Sequence, residues 1–119
     1  MPAEMLSFEE LSDLSQSVVS LRLRSASPRF SEDEQKLFEQ QAEMLEKDLK
    51  ILVRARFEKN TAAFKSAKNG IDVAVGKLNM ELQQLKKASE VADTVREVCN
   101  AIDGLLELAA GLARRPPIG

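Results

Sequence analysis

The chain has 119 residues, of which 44% are hydrophobic and 30% are charged, with 17 Lys and Arg against 19 Asp and Glu. This length fits one domain or one long helical rod. Because the sequence contains no histidine, it excludes imidazole general bases, Ser/His and Cys/His nucleophiles, and Cys/His zinc sites. Glycine-rich phosphate loops and calcium-binding loops are also missing from the sequence. We therefore expect a protein that is not an enzyme and that has no cofactor, no metal and no small-molecule substrate.

Charge and aromatic content argue against nucleic-acid binding. The net charge is −2 at pH 7 and the pI is about 5.3, so the chain carries no excess of positive charge to attract phosphate groups. Tyrosine and tryptophan are absent, which leaves only five phenylalanines to stack on bases. We expect protein partners and no nucleic acid.

Three features predict a cytoplasmic protein. The N-terminal residues lack the basic and apolar regions of a signal peptide. The most apolar stretch, residues 91–113, contains five charged residues, which are too many for a membrane span. The single cysteine, Cys99, cannot form a disulfide within the chain. We expect Cys99 to be a small core residue, with an intermolecular disulfide or redox role as the alternative. Secretion without a signal peptide is the alternative to a cytoplasmic location.

The first helix is predicted over about residues 7–24. Ser7 and Glu10 stand in the S-x-x-E order of a capping box, in which each side chain binds the other residue's backbone amide. Apolar residues follow at spacings of three and four, which places them on one helical face. They are Leu11, Leu14, Val18 and Leu21. Because Pro28 disfavours helix in the residue before it, we assign residues 1–30 to an N-terminal amphipathic helix and a linker.

A long antiparallel helical hairpin is predicted over residues 31–113. Its first arm begins at Ser31, which forms a second capping-box sequence with Glu34. Residues 32–48 hold seven acids and two bases, whereas residues 50–68 hold six bases and one acid. This order of charge opposes the helix macrodipole and favours one helix through both halves.

The turn of the hairpin is predicted at residues 69–72. Asn69-Gly70 is typical of a helix end, because glycine readily adopts the left-handed conformation that follows a helix. Arms over residues 32–69 and 72–113 would each be on the order of 60 Å long. We favour this hairpin because glycine inside a helix costs about 1 kcal/mol. A competing pattern would suit one continuous helix, since apolar residues recur every seven positions through the turn. They are Phe57, Phe64, Ile71, Leu78, Leu85, Ala92, Cys99 and Leu106.

The apolar spacing changes phase between Leu85 and Ala88. A three-residue step of this kind rotates the apolar stripe, either through local overwinding of a coiled coil or because the first helix packs on the displaced face. Further along, residues 104–113 are apolar nearly all round. We expect the rest of the chain, another chain or lipid to cover that segment. Residues 114–119 are predicted to form a disordered tail.

The predicted arms carry more apolar surface than the first helix can cover, because that helix spans only about 27 Å. We therefore expect an all-α fold that completes a helical bundle by oligomerisation. The candidate interaction residues are the apolar stripes of the hairpin, which would meet a helix of a partner. They are Phe38, Leu45, Leu49, Leu52, Phe57, Phe64, Val91, Val95, Val98, Ile102, Leu105 and Leu112.

The expected function is that of a non-enzymatic helical interaction protein: an adaptor, an assembly component or a small cytoplasmic chaperone. The partner is another protein or a second copy, since antiparallel copies would place residues 32–48 beside the basic residues 50–68. The alternative is a membrane-active helical hairpin, such as a subunit of a pore or secretion apparatus, whose last helix enters lipid. The charges on that helix make the membrane role the less favoured one.

Overall fold

A computed structural model describes residues 3–113. Within them, four α-helices account for nearly all of the regular structure, and two short antiparallel strands pair Glu4 with Phe57. This architecture confirms the predicted all-α fold class. The predicted tail at residues 114–119 lies outside the described residues. In chain order the elements are β1 (Glu4–Met5), α1 (Phe8–Ser25), α2 (Glu32–Leu52), β2 (Arg56–Phe57), α3 (Ala62–Gln83) and α4 (Ala88–Ala113).

The four helices form two antiparallel hairpins, α1 with α2 and α3 with α4, that pack side by side. Glu34 near the start of α2 contacts Ser89 near the start of α4, so these two helices run parallel. Ser17 in the middle of α1 likewise contacts Asn79 in the second half of α3. The bundle therefore has two hairpin interfaces and two interfaces between parallel helices, α1–α3 and α2–α4.

Both predicted helix starts are confirmed. At α1, Ser7 Oγ accepts from the backbone N–H of Glu10 at 3.2 Å, and Glu10 Oε1 accepts from the backbone N–H of Ser7 at 2.8 Å. At α2, Ser31 Oγ accepts from the backbone N–H of Glu34 at 3.2 Å. The Glu34 carboxylate binds α4 instead of returning to Ser31, accepting from the backbone N–H and the hydroxyl of Ser89 at 3.1 Å each. Glu34, the last residue of the second capping-box sequence, therefore joins α2 to α4.

The predicted turn at residues 69–72 is wrong, because α3 continues as helix through all of these positions. Lys68 and Asp72 form an ion pair of 2.6 Å across one helical turn. A side chain at Gly70 would meet no atom within 4 Å, so nothing in the packing requires glycine there. The cost of glycine inside a helix is local and small, and the burial of Ile71 and Ala74 in the core outweighs it.

The first real break lies between α2 and α3. Helix α2 ends at Leu52, and Thr61 begins α3 by accepting from the backbone N–H of Phe64 at 3.2 Å. Between them, β2 turns Phe57 into the core, where its ring centroid lies 5.5 Å from that of Phe64. The predicted 60 Å arm is therefore interrupted, because folding it back buries the core-facing stripes of α2 and α3 within one chain.

The second real break joins α3 to α4 through a Schellman turn. Leu85 has a positive φ of 59°, and its N–H donates to the carbonyl of Leu82 at 3.1 Å, while the N–H of Lys86 reaches the carbonyl of Glu81 at 3.4 Å. The phase change between Leu85 and Ala88 therefore marks a helix end and not a rotated coiled-coil stripe. The antiparallel hairpin exists, but it consists of α3 and α4.

The core lies on the axis between the two hairpins and receives side chains from all four helices and from β2. In this core the helices cover one another's apolar faces. The excess of apolar surface that we expected from two long helical arms therefore does not arise. Oligomerisation remains a prediction, and an oligomer would have to form through the outer surface of the bundle.

Candidate interaction surface

Most of the predicted interaction residues lie inside the bundle and not on its surface. Ten of the twelve are buried in the core, Leu49 is partly buried against it, and the side chain of Leu112 lies outside the described part of the chain. The apolar stripes of α2 and α4 therefore face each other and the other hairpin. The ten buried residues are Phe38, Leu45, Leu52, Phe57, Phe64, Val91, Val95, Val98, Ile102 and Leu105.

Polar side chains join α1 to the last turns of α3 and to the loop before it. Ser17 is fully buried and donates its hydroxyl to Asn79 Oδ1 at 2.7 Å, while Asn79 Nδ2 donates to the carbonyl of Asp13 at 3.3 Å. Towards one end, the Arg24 guanidinium donates to the carbonyl of Leu82. Near the other end, Lys59, which precedes α3, pairs with Glu10 at 2.6 Å. These bonds fix the α1–α3 interface at three levels.

The α2–α4 interface is joined by side-chain hydrogen bonds at the first turn of α4. Besides the two bonds from Ser89 to Glu34, the buried amide of Gln41 donates to the carbonyl of Ala88 at 2.8 Å. The Glu34 carboxylate lies at the N-terminus of α4, where the helix dipole favours negative charge. These contacts hold the starts of the two helices together.

Two carboxyl groups and the thiol of Cys99 meet near the middle of the α2–α4 interface. Burial is the main cause that raises the pKa of Asp48 above its ordinary value, and the neighbouring carboxylate of Asp103 raises it further, whereas Lys47 and a hydrogen bond from Cys99 lower it. Burial, followed by the charges of Asp48 and Asp103, raises the pKa of Cys99 to about 11. The thiol therefore stays protonated near neutral pH and is not an activated nucleophile.

A second apolar stripe of α2 faces outward beside α4. Leu37, Met44 and Ile51 are spaced seven residues apart, and Met44 and Ile51 are each about half exposed. On α4, Ala92, Cys99 and Leu106 recur at the same spacing on the side that meets α2. We call these six residues the α2–α4 groove. Met44 and Ile51 are its exposed members, Leu37, Ala92 and Leu106 are half-buried, and Cys99 is buried next to the core.

The groove opens into a cavity of about 650 Å³ where α2 ends. Ile51 and Leu106 belong to both the groove and the cavity wall, and the other apolar lining comes from alanines. The exposed side chains of Arg54 and Arg56 also line this cavity. An apolar hollow with arginines at its wall suits an amphipathic segment that carries acidic residues. The alanines are Ala3, Ala55, Ala109 and Ala110.

The sequence reasoning missed the groove because it assigned one apolar face to α2. That face, with Phe38 and Leu45, is the core face. The signal for the second stripe was present in the regular spacing of Leu37, Met44 and Ile51, but the cavity depends on a loop and a strand pair that the predicted long helix did not contain.

Within residues 3–113, no group of three His, Cys, Asp or Glu side chains is arranged to hold a metal ion. In the same part of the chain, every helix is too short or too polar to cross a membrane. The described surface carries both exposed apolar and exposed charged side chains. No protein-family model matches the sequence, and comparisons with curated proteins and with solved structures give no similar protein.

Proposed function

We propose that the protein is a non-enzymatic helical interaction module, an adaptor, assembly component or small chaperone, that binds an amphipathic helix in the α2–α4 groove. The observation that supports this most directly is the continuity of the exposed stripe of α2 with the apolar cavity at its end. Exposed apolar surface of this kind is costly in water, and covering it drives association.

The groove fits the helix-in-groove mode of recognition. Its apolar residues repeat every seven positions along two parallel helices, so a helix with apolar residues at matching turns can place them between α2 and α4. Arg54 and Arg56 favour acidic residues at one end of the bound helix. The absence of histidine and the raised pKa of Cys99 support a role without catalysis.

Photo-cross-linking in cells that naturally produce the protein tests the proposal. A photoreactive phenylalanine analogue replaces Met44 in the groove, or Met80 on α3 as a matched control. Both are surface methionines on helices, 49% and 61% exposed. We expect irradiation to give a discrete covalent adduct from position 44 and none from position 80.

The mass of the adduct identifies the class of partner. An adduct of twice the chain mass of 13.2 kDa contains a second copy, whereas any other discrete mass contains a different protein. Either result supports the interaction function. Equal labelling from positions 44 and 80, or no adduct from position 44, would contradict it.

A further inference from the structure

We infer that the occupant of the α2–α4 groove is the same groove of a second copy, with the two α2 helices antiparallel and a twofold axis next to Met44. This inference rests on the proposed function and names its partner. It differs from the pairing expected from the sequence, because it uses the outer stripe of α2 and leaves the buried stripes in place.

The charges along α2 are complementary to themselves in this orientation. Its first turn carries the exposed acids Glu32 and Asp33, and the turn after its end carries the exposed bases Arg54 and Arg56. Antiparallel copies bring the acidic end of one α2 to the basic end of the other, twice in each dimer. Parallel copies would bring like charges together, so the charge order selects the antiparallel arrangement.

The spacing of the apolar residues agrees with the same axis. Leu37 and Ile51 lie seven residues on either side of Met44, so a twofold axis at Met44 places Ile51 against Leu37 of the second copy. At its ends, the same arrangement brings Arg54 and Arg56 close to Asp33 of the second copy, which shares the Met44 face of α2. A single twofold axis therefore brings apolar residues of the two copies together and also places the basic residues of each copy near acidic residues of the other.

The size of this contact predicts a reversible dimer. Helix α2, from Glu32 to Leu52, is about 30 Å long, and two neighbouring helices are about 20 Å wide. A footprint of roughly 600 Å² per copy lies at the lower limit for specific interfaces. The dimer should therefore form in a concentration-dependent way, and it should weaken as salt screens the charges at its ends.

Charge reversal at each end tests the arrangement by light scattering behind a sizing column. One variant carries Arg54→Glu with Arg56→Glu, and the other carries Glu32→Lys with Asp33→Lys. Each alone places like charges together at both ends of the dimer, so we expect its dissociation constant to rise at least about tenfold. An equimolar mixture restores both contacts in a heterodimer, and its dissociation constant should return to within about threefold of the original.

Controls keep the test independent of folding and of net charge. Lys65→Glu with Lys86→Glu makes the same charge change away from the groove as the arginine variant makes beside it, and it should leave the dimer intact. If circular dichroism shows that a reversed variant is unfolded, Met44→Cys with Cys99→Ser replaces it. Under oxidising conditions that variant should form a covalent dimer, whereas Met80→Cys with Cys99→Ser should not.

The outcomes separate this inference from the function on which it rests. A chain that stays monomeric at all concentrations, or a dimer that neither reversed variant weakens, would overturn the pairing of copies. If the cross-linking in cells still gives an adduct of another mass from position 44, the interaction function stands without self-pairing. Rescue in the mixture of the two reversed variants is the result that supports the antiparallel dimer.

Discussion

The two interfaces between parallel helices are built in different ways. Between α1 and α3, the buried Ser17 and the half-buried Asn79 and Arg24 make hydrogen bonds that span the interface. Between α2 and α4, the side-chain bonds gather at the first turn of α4, and the interface then passes a pair of carboxyl groups and ends in an apolar cavity. We call the first the closed interface, because side-chain bonds lie near both of its ends, whereas the second leaves apolar side chains exposed at one end.

This difference shows that exposed apolar side chains need context before they indicate a binding surface. Val73 and Met80 on α3 are 65% and 61% exposed, which is more than the 49% and 50% of Met44 and Ile51 on α2. Single exposed apolar residues are common on protein surfaces. What distinguishes the pair on α2 is the neighbouring cavity and the opposite charges at the two ends of the helix.

The largest expected effect separates the two faces of α2. Leu45 is fully buried and the adjacent Met44 is 49% exposed. Leu45→Ala should lower the free energy of unfolding by about 2–5 kcal/mol, because it removes core packing and leaves a cavity. Met44→Ala should change it by less than about 0.5 kcal/mol. Urea denaturation at low protein concentration measures both, and an equal loss in the two variants would mean that Met44 belongs to the core.

A second substitution tests the closed interface. Asn79→Ala removes a hydrogen bond from Ser17 and one to the carbonyl of Asp13, so it should lower the free energy of unfolding by about 1.5 kcal/mol. Asn100→Ala on the exposed side of α4 is the matched control and should have little effect. If both variants unfold at the same urea concentration, the polar bonds between α1 and α3 do not stabilise the fold.

The sequence predicts the helical class and the helix starts, because those depend on local chemistry. Ser7 and Ser31 cap helices through residues three positions away, and the apolar spacing of α1 correctly identifies Leu14, Val18 and Leu21 as core residues. The breaks after Leu52 and Gln83 depend on tertiary packing, since neither contains the proline or glycine that ends helices locally.

The candidate surface could be predicted only in part, for the same reason. The sequence identifies the apolar residues and the order of charge along α2, but not which of its two apolar faces the rest of the chain covers. That choice is made when α4 folds back on the core face of α2. The cavity is then completed by Ala3 and Ala55, which are far apart in the chain and share no sequence pattern that would link them.

A third substitution tests whether α3 is one helix along the closed interface. Gly70 lies within α3 and has open space around it, so Gly70→Ala should raise the free energy of unfolding by about 1 kcal/mol. Thermal unfolding followed by circular dichroism measures the change. A lower melting temperature would contradict a continuous α3 and would restore a turn at this position.

The smallest expected effect concerns the carboxyl pair of the α2–α4 interface. The raised pKa of Asp48 means that the folded protein binds a proton more tightly there than the unfolded chain does. This site therefore makes folding less favourable as the pH rises from the ordinary Asp value through the raised one. Asp48→Asn removes the repulsion from Asp103 and should stabilise the protein by about 0.5 kcal/mol at pH 7. Near about pH 3, where the carboxyl group is largely protonated, the gain should fade. A gain that is equal at both pH values would contradict the assignment.

The most direct test of the difference between the two interfaces is a dilution series followed by NMR of methionine methyl groups labelled with ¹³C. Met44 and Met80 report on the α2–α4 groove and on α3 in the same sample. We predict that the Met44 resonance shifts with protein concentration while the Met80 resonance stays in place. If neither resonance moves up to about 1 mM, where even weak contacts become populated, or if both move together, the groove is not the surface at which copies of this chain meet.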